Sequence, residues 1–121
     1  MKIKIKLTGS QRLARIFKIL SLSWTLKIQD RDLDIIAELY YQNYKLEQEG
    51  VKDAKIRDLT ILSSDNKKDI AKKFNISYNA LANILTKMRK VGVLKGNSLI
   101  GMFSRIDPYK EDLELKVVFY G

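Results

Sequence analysis

The sequence predicts an α+β fold, mostly helical, with β-strands at its N- and C-terminal ends. Three observations carry that prediction. Apolar residues recur at helical spacing in successive segments from Gln11 to Lys90. Runs of strict alternation, "KIKIKL" and "DLELKVVFY", stand at the two ends. The turn pair Gly96-Asn97 separates "VLK" from "SLIGMF" as in a small hairpin.

Taken in order, Lys2 to Leu7 puts Ile3, Ile5 and Leu7 on one face and three lysines on the other, the period of a half-buried strand. Gly9-Ser10 punctuates the chain, with Ser10 as the expected N-cap of a basic amphipathic helix. In that helix, "QRLARIFKIL", Leu13, Ile16, Phe17 and Leu20 share a face and Arg12, Arg15 and Lys18 surround it. "SLSWTLKI" reads as extended chain or loop. Asp30 or Asp32 is the expected cap of a longer helix, Asp32–Gln48, with Leu33, Ile36, Ala37, Tyr40 and Tyr44 as its buried stripe and Gly50 ending it. "KDAKIRDLTILS" gives a further short helix, with Ile56, Leu59 and Leu62 expected inward. No internal repeat or low-complexity tract is present. The organisation is a basic strand and helix over 1–27, a helical body over 28–110 and a strand over 111–121, together one domain.

The totals exclude several chemistries. A chain of 121 residues has room for one modest core. It contains no cysteine and no histidine, which removes disulfides, thiolate and imidazole metal sites, and the Ser-His and Cys-His nucleophile schemes. Only carboxylates and lysines remain for proton transfer, and no close pair stands out. The expectation is a protein that is not an enzyme and uses no metal or cofactor. No apolar run reaches the ~18–20 residues of a membrane span, and the charged opening does not resemble a signal peptide, so a cytoplasmic protein without a membrane partner is expected.

Net charge is +9, and it is segregated. Residues 1–27 carry seven positive and no negative charges, and residues 28–66 carry five and nine. Residues 67–110 carry ten positive and two negative, and the last eleven carry one and three. Two basic regions thus flank an acidic one, which points to an acidic partner.

The densest basic stretch is "NKKDIAKKFNISYNALANILTKMRK", Asn66 to Lys90. It reads as two short helices with a tight turn between them. Counting from Lys67, Ile70 and Ala71 fall at the fourth and fifth places, where one residue must be apolar to face the core and the next small to let the helices cross. Phe74 is a buried anchor. Asn75 stands in the turn, and asparagine tolerates a positive φ. Ile76 plugs the turn, Ser77 caps the second helix, and Leu81, Ile84 and Leu85 face inward. Gly92 closes that helix.

This pattern over Lys55 to Phe103 resembles the winged helix-turn-helix superfamily: a helix-turn-helix core followed by a small wing hairpin. The resemblance implies that the second helix, 77–91, enters the major groove of double-stranded DNA and presents Ser77, Tyr78, Asn79, Asn83 and Lys87. Asparagine can contact adenine through two hydrogen bonds, and Ser and Tyr can bond bases or phosphates. Lys67, Lys68, Lys72, Lys73, Arg89 and Lys90 would neutralise phosphates, and Lys95 would do so from the wing. No arginine occupies the outward N-terminal half of the second helix, so the commonest guanine contact is missing. The alternative use of such a domain is a helical corner with a solvated basic face that contacts protein.

The two end strands admit several pairings. Set antiparallel, "KIKIKL" and "DLELKVVFY" would place lysines opposite acids, at ~0.2–1 kcal/mol per pair. The last strand would otherwise join the hairpin, or one strand would pair with a neighbouring subunit. In that assembly reading Ile3, Ile5, Leu115, Val117 and Phe119 are the contact residues. The run "LDIIAELYYQNYKL", "IRDLTILS", the helix-turn-helix, "KVGVL" and an alternating C-terminus also resembles small helix-turn-helix proteins of tailed bacteriophages. That resemblance implies either a DNA-binding protein of the host cytoplasm or a structural virion protein. The latter would be a head–tail connector, neck or ring component, forming a homo-oligomer with other virion proteins as partners.

Overall fold

The computed structural model describes residues 8–24 and 26–109, apart from the side chain of Met102. The first helix, α1, spans Gly9–Ser21. It begins two residues earlier than Ser10 would set it, because Thr8 and Gln11 form a capping box. Thr8 Oγ1 accepts from the Gln11 amide at 3.3 Å, and Gln11 Oε1 accepts from the Thr8 amide at 2.9 Å. Two otherwise unpaired amides are satisfied together, which Ser10 alone does not achieve. Leu13, Ile16 and Phe17 are buried as expected, against α2 (Asp30–Gln48), in the most extensive helix pairing of the fold.

Neither Asp30 nor Asp32 caps α2. The cap is Gln29, without a side-chain hydrogen bond, and the two acids occupy the first turn, where they still face the positive end of the helix dipole. The buried surface of α2 is wider than one stripe: Leu33, Ile35, Ile36, Ala37, Leu39, Tyr40 and Asn43 are all covered, while Tyr44 is half-buried. The reason is that α2 is packed from two sides, by α1 and by elements that follow it.

The next helix, α3 (Ala54–Ile61), is capped by Asp53, whose carboxylate accepts from the Lys55 amide at 2.9 Å. Its rotation corrects the sequence reading. Ile56 and Leu59, expected inward, are 52% and 75% exposed, and Arg57 and Ile61 are buried instead. The guanidinium of Arg57 determines this. Its Nε donates to Asn43 Oδ1 at 2.8 Å, Nη1 donates to the Val51 carbonyl at 2.7 Å, and Nη2 lies 3.3 Å from Glu47. In a helix of eight residues, two apolar side chains do not outweigh that set of charge-assisted bonds.

The chain continues through α4 (Ser64–Lys73) and α5 (Tyr78–Val91) into a hairpin of β1 (Leu94–Lys95) and β2 (Ser98–Leu99). The strands are antiparallel, with Leu94 opposite Leu99 and Lys95 opposite Ser98, around the expected turn pair. The strand expected to run on through "SLIGMF" stops at Leu99, and Gly101–Ser104 forms a short helix, α6. The turn of helix brings Phe103 into the core, where its ring lies 5.7 Å from Phe17 and 6.2 Å from Tyr40. With Phe17 and Tyr40 at 5.2 Å, the three rings tie α1, α2 and α6 into one core. The fold is therefore mostly helical with one two-stranded sheet among the described residues. The terminal strands expected over 1–7 and 111–121 lie outside those residues.

Candidate nucleic-acid interface

The corner between α4 and α5 is built by backbone chemistry. α4 is capped by Ser63, and its C-terminus turns through Asn75 in the left-handed region, φ 54°. The Ile76 amide reaches back to the Ala71 carbonyl at 2.9 Å and the Asn75 amide to Lys72 at 3.1 Å, which satisfies carbonyls that the helix end leaves open. Ile70 and Ala71 are buried, Phe74 and Ile76 half-buried. Ser77 then caps α5 by accepting from the Ala80 amide at 3.0 Å.

α5 buries Leu81, Ile84, Leu85 and Met88. The opposite face carries Asn79, Asn83, Lys87 and Lys90, all exposed, at intervals of three and four residues. Ala82 and Thr86 share that outward face and were not singled out from the sequence, although their spacing from Asn79 and Asn83 places them there. Thr86 donates to the Ala82 carbonyl at 3.0 Å. Gly92, φ 86°, ends the helix, and the Val93 amide returns to Met88 at 2.9 Å.

The hairpin is held from three sides. Arg89 Nε donates to the Gly96 carbonyl at 2.8 Å, and its Nη2 lies 3.4 Å from Asn97 Oδ1. Asp58 of α3 accepts from the Leu99 amide at 3.3 Å. The buried Tyr40 hydroxyl donates to the Val93 carbonyl at 2.6 Å and accepts from the Ile100 amide at 2.9 Å. Lys95, the last residue of β1, is thereby presented from a braced hairpin, and Arg89 acts as a brace as well as a cation.

The remaining cations differ in freedom. Lys68 and Lys72 are exposed on α4, while Lys73 is paired with Glu38 at 3.1 Å. The Lys67 ammonium sits over the Tyr78 ring at 5.8 Å. Asp65 and Asp69 line a groove on the other flank of α4, shared with α2 and α3. From residue 70 to residue 106 the chain carries seven Lys or Arg and no acid. The corner, α5 and the hairpin therefore make a continuous stretch of positive sign.

The structure thus brings Ser77, Tyr78, Asn79, Asn83, Lys87, Arg89 and Lys90 onto one helix and its cap, with Lys67, Lys68, Lys72 and Lys73 on the preceding helix and Lys95 on the hairpin. Ile3, Ile5, Leu115, Val117 and Phe119 lie outside the described residues. Among the described residues no three carboxylates group to hold a metal ion, and no helix is long and apolar enough to cross a membrane. No family model, curated protein or solved structure matches the chain.

Proposed function

We propose that the protein is a non-enzymatic DNA-binding protein whose α4, α5 and hairpin act as a winged helix-turn-helix on double-stranded DNA. The observation that carries this reading is the outward face of α5. It is polar and basic, Asn79, Asn83, Lys87 and Lys90, within a stretch of 37 residues that has no acid. In this reading α5 enters the major groove, the two asparagines meet base edges, and Lys67, Lys68, Lys72, Lys90 and Lys95 meet phosphates. Lys73 takes part only by exchanging Glu38 for a phosphate. The absence of arginine from the first half of the outward face favours binding with modest sequence preference.

The test is anisotropy of a labelled random duplex, titrated with protein at several salt concentrations. Sub-micromolar binding at low salt is expected, with a log–log salt slope of about −4 to −7, corresponding to roughly four to eight phosphate contacts. No binding at low salt overturns the reading. A second reading, a structural protein that assembles through protein contacts, is favoured by a different observation, the exposed Ile56 and Leu59 on α3. That role requires rings or higher oligomers of the full chain, visible by sedimentation, and their loss on Ile56→Ser with Leu59→Ser.

A further inference from the structure

Between α4 and α5 lies a cleft of about 120 Å³, lined by Lys67, Tyr78, Leu81, Ala82, Leu85, Thr86 and Arg89. Its apolar lining belongs to the packing of α5, since Leu81 and Leu85 are buried. Two cations line it and no carboxylate does. Both cations are placed before any ligand arrives. Lys67 lies over the Tyr78 ring at 5.8 Å, and the Arg89 guanidinium is held by the Gly96 carbonyl and Asn97. Those two bonds use two of the five N–H donors of an arginine and leave three for a ligand. A tetrahedral oxyanion is the ligand class that matches one ammonium and an arginine fork; the Thr86 hydroxyl does not contribute, since its proton goes to the Ala82 carbonyl.

We propose that this cleft seats a single phosphate group on Lys67 and Arg89. In the DNA reading above the group is one backbone phosphate. On that source the inference rests on the reading; as an anion seat it does not. The seat has a positional consequence. Arg89 contacts the hairpin turn and the phosphate with the same guanidinium, so an occupied cleft fixes the distance between the hairpin and the bound strand. A lysine on a free stem imposes no such constraint. The cleft thus sets the register in which Asn79 and Asn83 meet the bases.

Nuclear magnetic resonance of the full chain tests this with inorganic phosphate and, separately, with the random duplex. Phosphate is expected to move the Arg89 Nε–H and the amides of Ala82 and Thr86 saturably. Lys67→Gln is expected to weaken that response about fivefold, and Lys55→Gln on α3, with the same loss of charge, to leave it unchanged. If the duplex moves the same resonances and its salt slope falls by about one in Lys67→Gln, the phosphate comes from DNA. If inorganic phosphate binds in this way and the duplex does not, the seat stands for a free phosphate and the DNA reading falls. If phosphate moves Lys68, Lys90 and Lys95 as much as the cleft, without saturation, the proposal is overturned whatever the duplex does.

Discussion

Arg57 shows how one side chain can orient an element. Its guanidinium is 6% exposed as a residue and joins Asn43, Val51 and Glu47, on α2 and the loop after it. Truncation leaves the buried Asn43 oxygen without this donor and removes the bond to the part-buried Val51 carbonyl. Arg57→Ala is therefore expected to cost about 2–4 kcal/mol, read as a lower urea midpoint. A loss below about 0.5 kcal/mol would mean that water replaces the guanidinium there and that it does not set the rotation of α3. The tyrosines define a second residue-scale expectation. The Tyr41 hydroxyl is pushed up to about 12, first by its hydrogen bond with the Tyr109 hydroxyl at 3.2 Å and then by burial. Tyr40 and Tyr44 are also raised, chiefly by burial. A phenol whose folded pKa lies above its unfolded one contributes stability that is complete below the unfolded value of 10.0 and lost as pH rises through the folded one. Melting temperature is thus expected to hold to about pH 10 and to fall toward pH 12, less steeply in Tyr41→Phe. Phenolate absorbance that rises with a midpoint at the ordinary value in the native protein removes the basis for this expectation. Gly9 belongs to the same cluster: a β-carbon there runs into the Tyr41 ring, so glycine is what lets α1 begin against α2.

At the scale of elements, the α4–α5 corner depends on a small residue where the helices meet. Ala71 is 5% exposed, directly beside the Asn75 turn. Ala71→Leu adds volume to a closed contact and is expected to cost about 1–3 kcal/mol. Because the strain falls on the corner, duplex affinity is expected to fall with it while the α1–α2 amide resonances stay in place. Retained stability would show that the two helices can move apart freely. This corner was legible in the sequence because several independent constraints coincide there: Ile70, Ala71, Asn75, Ser77 and Gly92 each meet a different local requirement. The outward face of α5 was legible for the same reason, since fourteen residues give the helical period room to show. α3 was misread because eight residues do not, and because a buried arginine reads as a surface residue until its partners are known. Likewise, Thr8 lay two positions before Ser10, the expected cap of α1, and its cap became apparent only with Gln11 folded back on it. Phe103 was assigned to a strand because "SLIGMF" follows the hairpin turn pair Gly96-Asn97, whereas the three-ring contact with Phe17 and Tyr40 favours a turn of helix.

For the whole molecule the question is whether DNA affinity reflects net charge or its placement. A field spread over the protein attracts DNA at a distance and is insensitive to which lysine is removed. A built interface releases counterions only where phosphates sit. Two triple variants separate these possibilities. Lys72→Gln, Lys87→Gln and Lys90→Gln remove three exposed cations from α4 and α5, and Lys27→Gln, Lys52→Gln and Lys55→Gln remove three exposed ones elsewhere. Both change the net charge of +9 by the same amount. If the interface lies on α4, α5 and the hairpin, the first set lowers the magnitude of the salt slope by about two to three and the second leaves it nearly unchanged. If only the overall field matters, the two sets weaken binding alike. The three cations of the first set have neither an ion pair nor a hydrogen bond among those that brace the corner and hairpin, unlike Lys73 and Arg89. Their removal therefore tests binding without loosening the fold, and equal melting temperatures for the two triple variants are part of the expected result.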